Sequence, residues 1–232
     1  MTTGILYGVG VGPGDPELMT LKTARLIREN QVIACPGSRA EETIAYQIAV
    51  QAVPELADKT LLSVNMPMTH DREEMDRNHE HAADLIETYL KQGQNVVFLT
   101  LGDPTIYSTY LYVQKKIIAR GYAAELVSGI TSFCAAAART NTPLVEWNEQ
   151  LHILPAVHRL DSQLEQPGNY VLMKSGRKMQ QVKEILKTSG RDVVMVENCG
   201  MPDEHIYRGA DEIPDDAGYY SLIIAKEPHT KA

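Results

Sequence analysis

Short apolar runs alternate with segments of helical periodicity along this chain, and that alternation limits the folds open to it. Ile5–Val11 and Asn95–Leu101 have the character of buried strands. After the first of them, apolar residues recur at helical spacing at Leu18, Leu21 and Ile27. Strands that alternate with helices are typical of an α/β architecture with a mostly parallel sheet.

Turn residues indicate where the elements begin and end. Asp15 followed by Pro16 predicts a helix start, because Asp caps helices and Pro suits the first helical position. Gly-Asp-Pro recurs at residues 102–104, and the next helix is predicted from Pro104 to Gly121. Both tripeptides follow hydrophobic strands, which places them at the carboxyl edge of a sheet, where α/β folds bind ligands. Further strands are predicted at 31–35, 61–64, 125–127, 152–154, 170–173, 193–197 and 219–225, and further helices at 41–50, 71–91, 129–138 and 179–188.

Length and charge narrow the class of protein. The 232 residues suffice for two small α/β domains, predicted as residues 1–121 and 122–232. The net charge is −8 and no Lys/Arg-rich run occurs, which argues against nucleic acid as a partner. No apolar run approaches the length of a membrane span, and the cysteines are far apart in sequence and are expected to be reduced thiols. We therefore expect a cytoplasmic protein.

The glycine-rich segment after the first predicted strand leaves two interpretations open. Gly8-Val9-Gly10-Val11-Gly12-Pro13-Gly14-Asp15 lets the backbone approach a ligand closely. It does not give the GxGxxG spacing of a dinucleotide site from any starting glycine, and no glycine in the chain precedes a lysine as a phosphate-binding loop requires. The alternative is a tight turn capped by Asp15.

Two later segments are similarly ambiguous when taken alone. Asp103, in Leu101-Gly102-Asp103-Pro104, could bind the hydroxyls of a ligand sugar or could simply cap the following helix. Ser128-Gly129-Ile130-Thr131-Ser132 could hold a polar ligand at a helix start or could be a plain helix cap before an alanine run.

Three histidines, His70, His79 and His81, lie in an acidic, charged stretch, of which residues 71–91 are predicted as a helix. His79 and His81 are two residues apart and so point to different sides of a helix, whereas a zinc helix places histidines four residues apart. We interpret this stretch, with His70, as a solvated helix face rather than a metal site, and no metal is expected.

Three segments converge on one family. The chain resembles the class III, tetrapyrrole-type S-adenosylmethionine methyltransferases in GVGVGPGDPELMTLKTARLI at 8–27, LGDPTIYST at 101–109 and SGITSFCAAAA at 128–138. Within that family it is most similar to the precorrin-2 or cobalt-factor-II C20-methyltransferases, through YSTY at 107–110, SFCAAAA at 132–138 and TPLVEWNEQLHILPA at 142–156. Leu101 departs from the uroporphyrinogen-III methyltransferases, whose corresponding motif begins with two glycines.

The resemblance implies two α/β domains with parallel or mixed sheets and S-adenosylmethionine in the cleft between them. It implies methylation of C20 of a reduced tetrapyrrole in cobalamin biosynthesis, with S-adenosylhomocysteine as product, and a homodimer. Alternatives are another ring position, a non-tetrapyrrole substrate, or a nucleotide-binding regulatory protein without catalysis. Carried over by position, the implied cofactor contacts are Pro13, Leu101, Gly102, Asp103, Ile106, Thr131, Ser132, Met173, Cys199, Tyr220 and Ser221.

The implied chemistry needs no side-chain nucleophile, because a sulfonium is already an activated methyl donor. The protein then contributes mainly proximity and alignment. A proton must leave C20, and Glu197, Asp103 and water remain open as its acceptor. The carboxylates of the substrate call for cations, for which Arg39, Lys174 and Arg177 are the hypothesised anchors, with ordinary surface charge as the alternative.

Overall fold

The chain forms two compact units, Met1–Thr131 and Ser132–Ala232. The computed structural model describes residues 2–67, 69, 71–155 and 164–228, without the side chain of Arg177. The predicted boundary after Gly121 is corrected, because β5 (Ala123–Val127) pairs in parallel with β1 (Ile5–Gly10) and so completes the first sheet.

The first unit is a parallel sheet covered by helices on both faces. The sheet has the strand order β3-β2-β4-β1-β5, and all its ladders are parallel. Its remaining strands are β2 (Val32–Pro36), β3 (Thr60–Val64) and β4 (Val96–Thr100). Its helices are α1 (Leu21–Glu29), α2 (Ile44–Ala52), α3 (Arg72–Leu90) and α4 (Tyr110–Ala119), with short 3-10 helices at Pro16–Leu18, Ala40–Glu42 and Pro54–Asp58.

Alternate residues of the strands enter two separate cores. Ile33 and Val97 pack in the cluster under α1 and α2, whereas the preceding residues Val32 and Val96 pack in the cluster under α3 and α4. This division follows from the two-residue period of a strand. A sheet buried on both faces explains why these strands are nearly continuous apolar runs.

The second unit is built on a mixed sheet. Its order is β6-β7-β10-β8-β9, in which only the β6–β7 ladder is parallel. The strands are β6 (Leu151–Pro155), β7 (Asn169–Met173), β8 (Asp192–Glu197), β9 (His205–Arg208) and β10 (Ser221–Lys226). The helices are α5 (Ser132–Thr140) and α6 (Met179–Thr188), with 3-10 helices at Gly176–Lys178 and Ala210–Glu212. The strand β9 was not predicted from the sequence.

The structure corrects two predicted helix starts. Asp15 caps only the 3-10 helix Pro16–Leu18, and α1 begins anew at Leu21 under a cap from Thr20. That restart changes the helix phase, so that Leu21 is 90% exposed rather than part of a buried stripe. Likewise, α4 begins at Tyr110 rather than at Pro104, because the residues between them form turns in which Tyr107 has a left-handed φ of 50°.

The charged helix α3 is held against α4 by an ion-pair network. The Arg120 guanidinium pairs with Glu80, Asp84 and Glu87, and Lys116 pairs with Asp76 and Glu80. Asp76, Glu80 and Asp84 remain 72%, 48% and 62% exposed, so this face is solvated as predicted and also forms an interhelical contact. His81 is exposed as expected, whereas His70 lies outside the described residues.

His79 corrects that interpretation. It is 5% exposed and stacks on Tyr112 with ring centroids 4.7 Å apart. Burial, followed by the nearby charge of Lys116, lowers the pKa of His79 below its ordinary value. The ring is thus a core residue between α3 and α4.

Candidate functional site

Three loops of the first unit meet through their backbones at the carboxyl edge of the sheet. Gly102, after β4, donates its N–H to the Gly12 carbonyl at 2.8 Å, and Gly12 donates back at 3.4 Å. A Cβ added to Gly129, after β5, would lie 2.2 Å from the Gly102 oxygen, and one added to Gly10 would lie 2.4 Å from it. The close approach of the three loops therefore depends on glycine at these positions.

Asp103 joins two of these loops. Its Oδ1 accepts hydrogen bonds from the Thr105 N–H at 2.7 Å and the Thr105 hydroxyl at 2.5 Å. Its Oδ2 accepts from the Gly129 N–H at 3.0 Å, and the residue is only 7% exposed. The carboxylate thus caps its own turn, one of the two roles that the sequence left open, and also fixes the loop after β5.

Two buried hydroxyls lie in the loop region without a hydrogen-bond partner. Thr100 ends β4 and Thr131 ends the loop after β5, and within the described part of the chain nothing accepts from or donates to the Oγ1 of either. Leaving a buried polar group unsatisfied is costly. A polar ligand at these loops would satisfy them, so the arrangement fits a cofactor with polar substituents.

The structure brings together the predicted contacts of the first unit. Pro13 is buried in the loop after β1, and Gly102 adopts the left-handed φ of 71° that its turn requires. Leu101 and Ile106 are half-buried on either side of Asp103. These residues and Thr131 belong to the same three loops.

The predicted contacts of the second unit lie at one edge of its own sheet. Met173 ends β7 opposite Leu222 of β10. The Asn198 N–H donates to the Tyr220 carbonyl at 3.1 Å, which places Cys199 and Tyr220 at that same edge.

Two further predicted contacts, Ser221 and Ser132, differ from Met173, Cys199 and Tyr220 in their surroundings. The buried hydroxyl of Ser221 donates to the Gly218 carbonyl at 2.8 Å, so its donor is already used. Ser132 is the first residue of α5 and belongs to this unit rather than to the loop before it.

The hypothesised substrate anchors differ in their surroundings. Arg39 is exposed and pairs with Glu42 at 2.5 Å, which supports the alternative of an ordinary surface charge. Lys174 is exposed directly after β7 and has a left-handed φ of 61°. The side chain of Arg177 lies outside what the structure describes.

Sequence reasoning missed Thr100 and Ser175. Ser175 follows β7, is 0% exposed, and its Oγ has no hydrogen-bond partner among the residues that the structure covers. A serine or threonine near the carboxyl end of a strand is a weak sequence signal for a binding site. It becomes informative only when the structure shows that the hydroxyl is buried.

Within the described residues, neither the buried thiol of Cys35 nor a group of metal-binding side chains provides a further reactive site. Burial raises the pKa of the Cys35 thiol to about 12, which makes it a poor nucleophile. Across the described ranges, no three His, Cys, Asp or Glu side chains are grouped so that they could hold a metal ion. Nor does any helix within those ranges have the length and apolar character needed to cross a membrane.

Comparison with known proteins identifies the family. A profile of tetrapyrrole (corrin/porphyrin) methylases matches residues 5–212. The chain belongs to this family. The resemblance drawn from the three sequence segments is therefore confirmed.

Individual members of the tetrapyrrole methylase family match along nearly their whole length. The chain is 35% identical to the probable cobalt-precorrin-2 C(20)-methyltransferase of Methanocaldococcus jannaschii, over 95% of both chains. It is 28% identical to the precorrin-2 C(20)-methyltransferase of Sinorhizobium sp, over 95% of this chain and 94% of that one.

A solved structure supports the fold. The uroporphyrin-III C-methyl transferase of Thermus thermophilus, complexed with S-adenyl homocysteine, matches with a TM-score of 0.70 and 23% identity. The alignment covers 97% of this chain and 98% of that one. The predicted fold class, α/β with parallel and mixed sheets, is confirmed.

Proposed function

We propose that this chain is an S-adenosylmethionine-dependent methyltransferase that methylates C20 of precorrin-2, with or without cobalt, in cobalamin biosynthesis. The observation that carries the proposal is the 35% identity, over 95% of both chains, to a relative named for that reaction. A second relative, named for the cobalt-free substrate, is 28% identical over a similar span. Both forms of the substrate therefore belong in the test.

The loops of the first unit suit the cofactor. When bound, S-adenosylmethionine supplies an electrophilic methyl group on a sulfonium. The unpartnered hydroxyls of Thr100 and Thr131 offer hydrogen bonds to its polar substituents, and the glycines at 10 and 129 let the three loops that carry the proposed contacts pack closely together. The proposed contacts are those carried over from the family: Pro13, Leu101, Gly102, Asp103, Ile106, Thr131, Ser132, Met173, Cys199, Tyr220 and Ser221.

The role of the chain in the reaction is alignment. C20 of the reduced ring takes the methyl group and then loses a proton, so the chain needs to orient the ring and receive or pass on that proton. Both oxygens of Asp103 already accept internal hydrogen bonds, which leaves it poorly suited as the acceptor. Glu197 accepts from the Gly218 N–H through Oε1 at 2.5 Å, whereas its Oε2 has only a 3.4 Å contact with the Tyr207 hydroxyl. Of these two carboxylates, Glu197 is the better candidate, with water as the alternative.

The substrate carries several carboxylates, and we assign their recognition to Lys174 and Arg177. Arg39 is a weaker candidate because Glu42 already neutralises its charge. The same proposal includes a homodimer in the cytoplasm, and no nucleic acid or membrane as partner. Light scattering on the purified chain would test the dimer.

The deciding experiment is incubation with methyl-labelled S-adenosylmethionine and precorrin-2, in separate reactions with and without cobalt. NMR of the product should show the label on C20. A label on another ring carbon would assign the chain to another member of the family. Label transfer to protein or RNA, or cofactor binding with no transfer to any acceptor, would reject the proposal in favour of a different substrate or a regulatory role.

A further inference from the structure

The loop that connects β7 to α6 concentrates positive charge at one end of the second sheet. Residues 174–178 read Lys-Ser-Gly-Arg-Lys, so that three of five residues are cationic in a chain whose net charge is −8. Lys174 and Lys178 are both exposed. The loop therefore offers a local cationic surface on an acidic protein.

Within this loop, Ser175 is a buried hydroxyl that the described protein leaves unsatisfied. The residue is 0% exposed and its Oγ has no hydrogen-bond partner in the described ranges. It occupies the cap position of the helical segment that follows, yet its side chain makes no capping hydrogen bond. A buried serine left unsatisfied at such a cost is expected to have a partner outside the described residues.

The backbone of the loop is also strained at Lys174. Its φ of 61° is left-handed, a conformation that favours glycine and that a lysine adopts only when its surroundings impose it. Residues held in this way cluster at ligand sites. Lys174 directly precedes Ser175, so the strained backbone and the unsatisfied hydroxyl lie on adjacent residues of the same loop.

An exposed aromatic pair lies beside the loop. A Cβ on Gly176 would lie 3.3 Å from the Gly218 carbonyl oxygen, which shows that the loop packs on the turn before β10. That turn continues into Tyr219 and Tyr220, whose rings are 5.3 Å apart and are 50% and 40% exposed. The two rings meet edge to face, with an interplanar angle of 84°, and these exposed aromatic rings beside cations offer apolar contact to a planar ring that carries carboxylates.

We propose that residues 174–178 form a carboxylate-binding loop for the tetrapyrrole substrate, in which the Ser175 hydroxyl donates a hydrogen bond to a carboxylate oxygen and Lys174 supplies the opposing charge. Tyr219 contacts the ring that bears that carboxylate. This assignment rests on the proposed function and adds Ser175 as a residue that determines substrate specificity. It places the anion on the ring substrate and not on the amino-acid moiety of S-adenosylmethionine.

The Ser175→Ala variant tests the proposal, because it is expected to weaken substrate binding without lowering the stability of the fold. Loss of a hydrogen bond to a charged group should raise KM for precorrin-2 about tenfold, with kcat within about twofold. The melting temperature should stay unchanged or rise, since an unsatisfied buried hydroxyl is removed. The Kd for S-adenosylmethionine, measured by calorimetry, should not change.

The matched control is Ser189→Ala at the far end of α6. The Ser189 hydroxyl donates to the Leu186 carbonyl at 2.7 Å, so its removal should lower the melting temperature and leave KM unchanged. A second variant, Lys174→Gly, removes the charge and relieves the left-handed strain. It should raise KM for precorrin-2 without lowering the melting temperature.

A binding assay separates this inference from the proposed function. Fluorescence titration with uroporphyrin III, a polycarboxylate porphyrin, should show weaker binding to the Ser175→Ala and Lys174→Gly chains than to the wild type. Added salt should weaken wild-type binding as well. If the wild type methylates no tetrapyrrole, the proposed function fails, and this titration still tests the loop.

Two results would overturn the loop assignment. One is a KM for precorrin-2 and a porphyrin affinity that stay within about twofold of wild type in both variants. The other is a selective loss of S-adenosylmethionine affinity in Ser175→Ala, which would place the anion on the cofactor.

Discussion

Replacing Gly129 with alanine tests whether backbone contact between the three loops of the first unit creates the cofactor site. The added Cβ would lie 2.2 Å from the Gly102 oxygen and 2.8 Å from the Gly10 Cα. Restoring even the shortest tolerated approach to the oxygen, 3.0 Å, requires the loops to separate by at least about 0.8 Å. The bond from the Gly129 N–H to Asp103, now 3.0 Å, would then exceed the length of a hydrogen bond, and the Gly12–Gly102 bridge would be stretched.

The loss of these bonds sets the size of the effect. One bond to a carboxylate and one between backbone groups together contribute about 2–4 kcal/mol to folding. In a chain of this size that lowers the melting temperature by roughly 5–15 °C. Because the loops proposed to hold the cofactor would have moved, the Kd for S-adenosylmethionine measured by calorimetry should rise at least about tenfold.

A matched control separates crowding from backbone conformation. Gly121 has a left-handed φ of 88° and no atom within 4 Å of an added Cβ, so Gly121→Ala adds strain without a clash. It should cost about 1 kcal/mol of stability and leave the Kd unchanged. A Gly129→Ala chain that binds S-adenosylmethionine within twofold of wild type would refute the argument that contact between these loops forms the site.

Three further predictions follow from the hydrogen bonds, the buried histidine and the helix pair. Asp103→Asn leaves one acceptor oxygen for three donors, so it should lower the melting temperature and weaken S-adenosylmethionine binding about tenfold. Asp15→Asn alters only the cap of a short 3-10 helix and should do neither. Equal effects of the two variants would contradict the loop-joining role of Asp103. The pKa of His79 is lowered in the folded state, so the unfolded chain takes up a proton first as the pH falls below about 6.5, and stability should decline until the pH passes the lowered value. His79→Phe should flatten that part of a denaturation profile and His81→Phe should not, and an unchanged slope in His79→Phe would show that another group titrates. Arg120→Gln should cost about 1 kcal/mol in low salt, and the difference from wild type should shrink in about 1 M salt, because two of its three carboxylate partners, Glu80 and Asp84, are 48% and 62% exposed. A difference that salt does not change would point to packing instead.

Local patterns in the sequence were sufficient for most of the elements. The helix predicted at 179–188 matches α6, and the strand predicted at 193–197 differs from β8 by one residue. Both depend on side chains a few positions apart, which periodicity captures. The two helix starts at Asp15 and Pro104 were misplaced because an Asp-Pro pair fits a short turn as well as a helix cap.

The residues of the candidate site were also predicted only where local sequence motifs mark them. Glycine and Asp-Pro motifs at the ends of β1 and β4 were enough to place Gly102 and Asp103 at the carboxyl edge of the sheet. What Asp103 bonds to was not predictable, since its partner Gly129 is 26 residues away in sequence. The hydroxyls of Thr100, Thr131 and Ser175 stand out only through burial and the lack of a partner among the described residues.

The sequence by itself determined the α/β class and the loops that follow the strands, because strand and helix periods and turn residues are local properties of the chain. The family followed from the resemblance of three sequence segments. Only the tertiary structure decided that β5 completes the first sheet, that the second sheet is mixed, and that His79 is buried. Strand pairing and burial depend on which distant segments come into contact. These contacts are determined by the packing of the whole unit, so they cannot be predicted from a short window of sequence.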